Sequence, residues 1–316
     1  MPRSWRLLVT ALLSIVGLYQ VFSLNPAFKV DNSLSHKLAR HFIYDVKSDF
    51  PTYIWQTWKY GPSSSEFGPV KSATGTWSSR NPDAQHRILS DPESEEILKE
   101  LYNPFPEIIE AYDALPKPVL KADFFRYLIL LAKGGIYTDI DTDALKPSSI
   151  WIQDVYNHEV GLVVGIEADP DREDWHQWYS RRIQFCQWTI LSKPGHPVLR
   201  GVVSTITRET LRLKSEGKLD DPNLSAVEFT GPAIWTDAVF KHLNDHQQCP
   251  DRRMLPPMIT WKEFTGITEP KMVDDVLVLP ITSFSPGVGH MGSKATDDPM
   301  AFVRHEFSGS WKEETK

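Results

Sequence analysis

The sequence predicts an α/β fold in which helices cover both faces of a sheet. Short apolar segments of strand length alternate with longer segments that carry helix start and stop signals, from Tyr53 to Leu279, and this alternation is typical of α/β domains. The composition agrees, because 41% hydrophobic and 24% charged residues in a chain of 316 are ordinary for a globular enzyme. It excludes collagen-like, disulfide-framework and wholly disordered proteins. A net charge of −7 also argues against a general affinity for nucleic acid.

The N-terminal segment is predicted to tie this domain to a membrane. Residues 7–24 contain no charged side chain and follow Arg3 and Arg6. A helix of about 18 residues spans ~27 Å, close to the hydrocarbon thickness of an early secretory membrane. A cleaved signal peptide is the alternative, but its apolar region usually has only ~7–15 residues and ends in small residues. We therefore predict a cytoplasmic tail at 1–6, an uncleaved transmembrane anchor at 7–24, a stem at 25–49 and a lumenal domain at 50–316.

The lumenal domain contains the alternating elements. The predicted strands are Tyr53–Trp58, His86–Leu89, Ile136–Asp141, Val160–Ile166, Phe185–Leu191 and Val276–Leu279. The predicted helices are Asp91–Glu110, Pro118–Lys133, Pro197–Leu213 and Pro232–Leu243. Asp91 is expected to cap the first helix, and Pro104 and Pro106 must break or kink it. Gly134 is expected to end the second.

Two features suit a lumenal location without requiring it. The triplet Asn223-Leu224-Ser225 is an N-glycosylation sequon, although such triplets also arise by chance. Cys186 and Cys249 could form one disulfide in that compartment. Cys186 lies in an apolar stretch, however, so a buried free thiol is at least as well supported.

Asp139 and Asp141 are the predicted centre of the chemistry. They stand one residue apart at the end of a predicted strand, after Gly134 and Gly135. Because alternate residues of a strand point to the same face, both carboxylates are expected to project from one side of the sheet edge. Oxygen ligands placed in this way can hold Mg²⁺ or Mn²⁺ and leave positions for phosphate oxygens. A bare D-x-D triplet is a weak signal, but its position after an apolar helix and a buried strand is uncommon.

The stretch KADFFRYLILLAKGGIYTDIDT, residues 121–142, resembles the D-x-D sugar-binding region of glycosyltransferase family 32, and within it the fungal Golgi α-1,6-mannosyltransferases. The similarity continues in YIWQTWK (53–59), RRIQFCQW (181–188), KPGHP (193–197), TGP (230–232) and GSW (309–311). It implies a GT-A fold in a single-pass type II Golgi membrane protein. It also implies retaining transfer of mannose from GDP-mannose to an N-linked high-mannose glycan, with a divalent metal, Mn²⁺ in preference to Mg²⁺. A complex with other Golgi transferases is a further expectation.

The resemblance assigns Asp139 and Asp141 to the metal and the sugar nucleotide, and Asp123 and Arg126 to the donor sugar and its phosphates. Residues three apart share a helix face, so Asp123 and Arg126 can both reach one site. The alternative is an exposed ion pair that contributes only a few tenths of a kcal/mol. Since no residue presents itself as a covalent nucleophile, we expect a same-face substitution in which the departing phosphate helps to remove the acceptor proton.

Aromatic and C-terminal residues complete the predicted donor site. Trp58 is expected to stack on the nucleotide base, with Trp55 as its competitor, because strand alternation lets only one of the two face the base. The resemblance makes His305 a third metal ligand, against the alternative of a structural histidine. It makes Ser310 and Trp311 residues that close over the nucleotide.

The acceptor site is less specified. Asp237, beside the TGP segment, and Asp171 and Trp175, in an acidic aromatic run, are candidates because carboxylates suit glycan hydroxyls and aromatic rings suit sugar faces. An ordinary helix start and a solvated loop are the alternative explanations of these segments.

Two other functions fit parts of the pattern. A family 32 transferase for inositol-phosphoceramide would share the donor site, although such enzymes usually carry further C-terminal membrane segments and lack the match at 181–188. A non-catalytic lumenal glycan-binding protein could keep the fold. The intact set of Asp123, Arg126, Asp139 and Asp141 argues against that second alternative.

Overall fold

The computed structural model describes residues 33–64, 67, 71–156, 158–245 and 257–307. The chain divides into two compact units, residues 1–37 and 38–316. None of the helices in the described ranges is long and apolar enough to cross a membrane. The predicted tail and anchor, part of the stem, and Cys249, Ser310 and Trp311 lie outside the described residues.

The elements are numbered in chain order. The helices are α1 (Leu34–His41), α2 (Lys71–Arg80), α3 (Asp91–Leu101), α4 (Pro106–Ala114), α5 (Pro118–Lys133), α6 (Pro197–Ser215), α7 (Ala226–Phe229), α8 (Pro232–Leu243) and α9 (Ile281–Phe284). The strands are β1 (Tyr53–Thr57), β2 (Gln85–Leu89), β3 (Gly135–Thr138), β4 (Thr142–Ala144), β5 (Leu162–Ala168), β6 (Gln184–Phe185), β7 (Thr189–Ser192), β8 (Lys271–Val273), β9 (Val276–Leu279) and β10 (Val303–His305). Short 3₁₀ turns lie at Ser148–Ile150, Asp154–Tyr156, Trp175–Gln177 and Trp261–Glu263.

The central sheet is mixed, and its topology brings several strand ends to one edge. Its order is β2-β1-β3-β7-β5-β9-β8, and β6 pairs with β5 beside this path. β1 is parallel to β2 and β3, and β5 is parallel to β9. β7 runs antiparallel to both β3 and β5, so β3 and β5 point the same way. The ends of β1, β3 and β5 and the start of β7 therefore meet at one edge, which we call the carboxyl edge.

Alternation along the strands fills a core on both faces of the sheet. Ile54, Ile136, Val163 and Leu277 belong to one buried cluster, together with side chains from α2 and α9. Their neighbours along the strands face the other side, where α5 and α8 pack: Tyr127 stacks on Trp235 at 5.4 Å, and the Trp235 indole donates to the Cys186 carbonyl at 3.1 Å. The predicted α/β class is confirmed.

The junction between α5 and β3 depends on two glycines. Helix α5 starts with Pro118 and ends at Gly134, whose φ is +66°. Gly135 has a φ of +88°, and a Cβ there would lie 2.5 Å from the carbonyl oxygen of Tyr53. Only glycine tolerates both the left-handed backbone and this close approach. The two glycines therefore let β3 start directly beside β1. The start of β3 in turn determines the position of the D-x-D segment at its end.

The first helical region differs from its prediction by one residue at its start. Ser90, and not Asp91, is the N-cap of α3, and its backbone N–H donates to the Glu93 carboxylate at 2.8 Å. This reciprocal arrangement is a capping box, which requires a serine or threonine three residues before the glutamate. The predicted break at the prolines is confirmed, because α4 begins at Pro106.

The strand predicted at Val160–Ile166 is observed two residues later, at Leu162–Ala168. Two other predicted strands are also wrong in extent. The segment predicted as Phe185–Leu191 forms β6 and β7, because the Cys186 N–H bonds the Gly165 carbonyl on β5 whereas the Trp188 carbonyl accepts from the Asp139 N–H beside β3. The chain changes partners between these two residues, and an apolar run cannot reveal this. The strand predicted as Ile136–Asp141 ends at Thr138, where a turn begins.

Candidate active site

The D-x-D segment forms a tight turn at the carboxyl edge between β3 and β4. The Thr142 hydroxyl donates to the Asp139 carbonyl at 2.6 Å and lies 2.8 Å from the Thr138 hydroxyl. The buried Gln56 side chain donates to the same Asp139 carbonyl at 2.9 Å. The predicted strand alternation of Asp139 and Asp141 is therefore wrong, because a turn brings the two carboxylates together. Their side chains are 26% and 17% exposed, so both are accessible.

His305 reaches the D-x-D turn through strand pairing. β10 pairs antiparallel with β4, which places His305 opposite Thr142, and the Glu306 N–H donates to the Asp141 carbonyl at 2.9 Å. The His305 ring stacks on Trp188, with 4.6 Å between ring centroids. Its Nε2 lies 3.1 Å from Asp141 Oδ1. The sequence-predicted trio of Asp139, Asp141 and His305 is thus brought together.

This trio fits a divalent metal ion. One ligand atom from each of Asp139, Asp141 and His305 lies within 4.8 Å of the other two. Carboxylate oxygens suit Mg²⁺ and Mn²⁺, and a neutral imidazole nitrogen is a common additional ligand for transition metals. The donor set is therefore chemically suited to Mn²⁺, and the assignment of these residues as metal ligands stays a prediction.

Asp123 and Arg126 form a buried pair behind the D-x-D turn. Arg126 Nη2 lies 2.9 Å from Asp123 Oδ1 and 3.3 Å from Asp139 Oδ1, and the side chains of Asp123 and Arg126 are 4% and 5% exposed. The alternative of an exposed ion pair is wrong, because both residues are buried. Thr230 and Gln187 donate to the Asp123 carboxylate at 2.9 and 3.1 Å. Arg126 is thereby held in one orientation beside Asp139.

Electrostatics keep the Arg126 guanidinium charged. Burial by itself lowers the pKa of Arg126, but the opposing influence of Asp139, Tyr137 and Asp123 outweighs it and raises the pKa above its ordinary value. Burial raises the pKa of Asp123, and the charge of Arg126 opposes that shift. Two of the guanidinium nitrogens, Nε and Nη1, are buried without a hydrogen-bond partner among the described residues. Arg126 therefore keeps donors for a ligand.

The two tryptophans near β1 have different environments. Trp55 is 1% exposed, and its indole N–H donates to the Gly134 carbonyl at 3.0 Å, so it belongs to the core. Trp58 follows β1 at the carboxyl edge, is partly exposed, and its indole nitrogen has no hydrogen-bond partner among the described residues. Trp58 is therefore the tryptophan available for a base, as predicted from its position, although base stacking itself stays a prediction.

The predicted acceptor residues occupy different environments. Asp237, on α8, makes a two-point ion pair with Arg181 at 2.7 and 2.6 Å, so its carboxylate is already used by the protein. Asp171 is exposed, and Trp175 is partly buried at the start of a 3₁₀ turn. Ser310 and Trp311 lie outside the described residues. The structure therefore adds no acceptor contact to these predictions.

The glycosylation sequon and the two cysteines are only partly described by the structure. Asn223 is exposed, as a glycosylated asparagine must be. Cys186 is fully buried, and burial raises the pKa of its thiol well above the ordinary value. Because Cys249 lies outside the described residues, the pairing of the two cysteines stays open.

Glu167 and Gln184 are site residues that the sequence reasoning missed. Glu167 lies near the end of β5 and accepts a hydrogen bond from Gln184 Nε2 at 3.1 Å. Burial raises the pKa of its carboxylate, whereas the hydrogen bond from Gln184 and the charge of Arg126 oppose that shift. The available signal was a single acidic residue at the end of the apolar run Val160–Ile166, in a strand that only the fold places beside the D-x-D turn.

Comparison with known proteins supports the identification of the D-x-D segment. Residues 69–158 match the family described as a glycosyltransferase sugar-binding region containing a DXD motif. The chain is 47% identical over 300 residues to the initiation-specific alpha-1,6-mannosyltransferase of Candida albicans, covering 90% of this chain and 78% of the relative. It is 46% identical over 300 residues to the protein of the same name in Schizosaccharomyces pombe, covering 93% and 72%.

Two further matches are weaker. Inositol phosphoceramide mannosyltransferase 3 of Schizosaccharomyces pombe is 31% identical over 127 residues, which is 40% of this chain and 33% of that protein. Among solved structures, the PaToxG glycosyltransferase has a TM-score of 0.41 and 15% identity, covering 76% of this chain and 83% of its own. The extensive matches to the Candida and Schizosaccharomyces proteins decide the family. The chain is a DXD glycosyltransferase that belongs to the family of the initiation-specific α-1,6-mannosyltransferases.

Proposed function

We propose that this protein is a retaining α-1,6-mannosyltransferase that moves mannose from GDP-mannose to an N-linked high-mannose glycan. The observation that carries the proposal is the convergence of Asp139, Asp141 and His305 beside the buried Asp123–Arg126 pair. Relatives that align over nine-tenths of the chain carry the corresponding name. We also propose that the mixed sheet is a GT-A fold.

A divalent ion, Mn²⁺ in preference to Mg²⁺, would be held by Asp139, Asp141 and His305. When bound, it would supply positive charge that stabilises the diphosphate leaving group.

The chain's own residues then have distinct tasks. Arg126 is held by Asp123, so the N–H groups of its Nε and Nη1 are oriented before the sugar nucleotide binds. Donors that need no rearrangement stabilise charge that develops on a phosphate better than mobile ones. A guanidinium also offers charge-assisted hydrogen bonds to phosphate oxygens. Arg126 is therefore the residue that we expect to contact the diphosphate, and Trp58 the one that binds the base by stacking.

We further propose a Golgi location with the catalytic domain in the lumen. Support comes from the charge-free run at residues 7–24 and the basic residues before it. N-terminal sequencing of the mature protein should find residues before Asn25. A mature chain that starts near Asn25 would contradict the anchor.

Donor and acceptor assays on the purified protein test the function. GDP release from GDP-mannose should depend on a high-mannose glycan and on Mn²⁺, and the product should carry a new α-1,6-linked mannose. Faster turnover with inositol-phosphoceramide as acceptor would instead support a lipid-directed transferase. Absence of GDP release with every acceptor, alongside measurable glycan binding, would support a binding protein. Preference for a UDP-sugar in direct competition would contradict the proposed donor.

A further inference from the structure

Glu167 lies on the carboxyl edge at a position where the sheet is irregular. β5 pairs with β6 through Ile166 and Ala168, and the register shifts between these two residues, so Glu167 lies at a bulge. Bulges re-aim a side chain and are over-represented next to active sites. An acidic residue at such a point in a buried central strand is not needed for sheet formation.

The hydrogen bond between Gln184 and Glu167 determines which polar atoms of the two side chains remain for a ligand. A carboxylate only accepts hydrogen bonds at neutral pH, so the Gln184 amide must turn its NH₂ group toward Glu167 and its oxygen away. Gln184 is 7% exposed, and its Oε1 is buried with no hydrogen-bond partner among the described residues. Buried polar atoms in folded proteins are usually paired. The pair therefore presents two acceptors, a carboxylate and an amide oxygen, which suit the hydroxyl groups of a sugar.

The strand order places this pair on the side of the D-x-D turn opposite the base. β7 separates β3 from β5, and neighbouring strands lie ~4.8 Å apart, so β5 is roughly 10 Å from β3. β1, which ends before Trp58, lies on the other side of β3. A nucleotide stacked on Trp58, with its diphosphate at Asp139, directs its sugar toward β7 and β5. Glu167, near the end of β5, lies on that side of the D-x-D turn.

The geometry of Glu167 suits proton transfer. Its side chain is partly buried at the end of β5, and Gln184 Nε2 donates to Oε2 at 3.1 Å and fixes the carboxylate. A positioned carboxylate can act as a general base when a hydroxyl group lies within hydrogen-bond reach.

We propose that Glu167 is a catalytic residue on the acceptor side, which binds the attacking hydroxyl of the acceptor mannose and removes its proton. The inference rests on the proposed function. As the acceptor oxygen forms its bond to the anomeric carbon, its proton passes to a Glu167 carboxylate oxygen. The bond between the anomeric carbon and the phosphate oxygen breaks, and the electron pair leaves with GDP. Glu167 later returns the proton to water. Gln184 Oε1 accepts a hydrogen bond from a neighbouring hydroxyl of the same acceptor sugar.

This assignment modifies the expectation drawn from the sequence. The sequence offered no covalent nucleophile, so a same-face substitution was expected in which the departing phosphate helps to remove the acceptor proton. With Glu167 at the carboxyl edge, the protein itself supplies the base, and the phosphate needs only to leave.

The isosteric variant Glu167→Gln tests the proposal in the full-length protein. We expect kcat for transfer to a high-mannose glycan to fall about 100-fold or more, because general base catalysis contributes ~10²–10⁴-fold. The Kd of GDP-mannose, measured by titration calorimetry with Mn²⁺ present, should stay within twofold of the parent value. Glu110→Gln is the matched control, since Glu110 makes an exposed ion pair with Lys214 on the outer helices, and it should transfer at the parent rate.

The outcomes separate this proposal from the proposed function. A parent protein that transfers no mannose would refute the proposed function itself. Parent-like transfer by Glu167→Gln, or a loss matched by equally weakened GDP-mannose binding, would overturn the role of Glu167 alone. A mannosyl ester on Glu167, detected by mass spectrometry after incubation with GDP-mannose, would also overturn it by showing a nucleophile. Should Glu167→Gln fail to fold, Gln184→Leu provides a second test: it should raise the acceptor KM several-fold and leave the GDP-mannose Kd unchanged, and an unchanged acceptor KM would overturn the proposal.

Discussion

Replacing Arg126 with lysine is the sharpest test of the donor site. The guanidinium is buried between Asp123 and Asp139, at 2.9 and 3.3 Å, and it lies over the Tyr137 ring at 5.1 Å. Its Nε and Nη1 have no hydrogen-bond partner among the described residues. Lysine keeps the positive charge but concentrates its donors on one nitrogen. It can therefore satisfy the two carboxylates or reach a phosphate, but not both.

The expected effect follows from losing one contact in the transition state. A charge-assisted hydrogen bond contributes about 1.5–3 kcal/mol, which corresponds to a decrease of about 10- to 150-fold in rate. Because charge accumulates on the phosphate as the bond breaks, the loss should appear mainly in kcat and less in the KM for GDP-mannose. Stability should change less, because the charge that pairs with Asp123 is kept.

GDP release under saturating donor and acceptor measures kcat directly. Arg212→Lys is a suitable control, since Arg212 also bridges two carboxylates, Glu209 at 2.9 Å and Glu216 at 2.7 Å, but lies 49% exposed on α6. The control should retain the parent kcat. The reasoning is refuted if Arg126→Lys keeps kcat within twofold of the parent while remaining folded by circular dichroism.

Three further predictions address the metal, the base and acid stability. Asp141→Ala should abolish transfer and weaken Mn²⁺ binding in calorimetry with little change in Tm, since a partly exposed turn carboxylate adds little to the core; transfer near the parent rate would contradict this. Trp58→Ala should raise the KM for GDP-mannose and leave kcat nearly unchanged, because stacking is equal in the ground and transition states; the opposite pattern would count against base stacking. Burial lowers the pKa of His86 to about 4 and also lowers that of His196. Because the unfolded histidines bind protons near pH 6.5 and the folded ones resist doing so, the free energy of unfolding should fall as the pH drops from about 6.5 toward 4; an unchanged urea midpoint between pH 7 and 5 would disprove this.

The sequence by itself determined those helices and strands whose start and end are marked by residues within the segment or next to it. Helix α5 was predicted with its observed bounds, because Pro118 and Gly134 mark a helix start and end through their own backbone preferences. Helix α8 and strand β9 were predicted with their observed bounds for similar reasons. The D-x-D stretch also identified the family, because the motif and its flanking helix are contiguous in the chain.

Only the tertiary structure decided which strands pair and what meets at the carboxyl edge. Hydrophobic periodicity reports how deeply a segment is buried, but it carries no information on its partner strand. For this reason the division of 184–192 into β6 and β7 was missed, as was the turn that joins Asp139 to Asp141. Glu167 was overlooked for the same reason. Glu167 is a single carboxylate at the end of an apolar strand, and its sequence context does not show which residues lie near it. The strand order does, because β5 is separated from β3 only by β7 and therefore ends near the D-x-D turn.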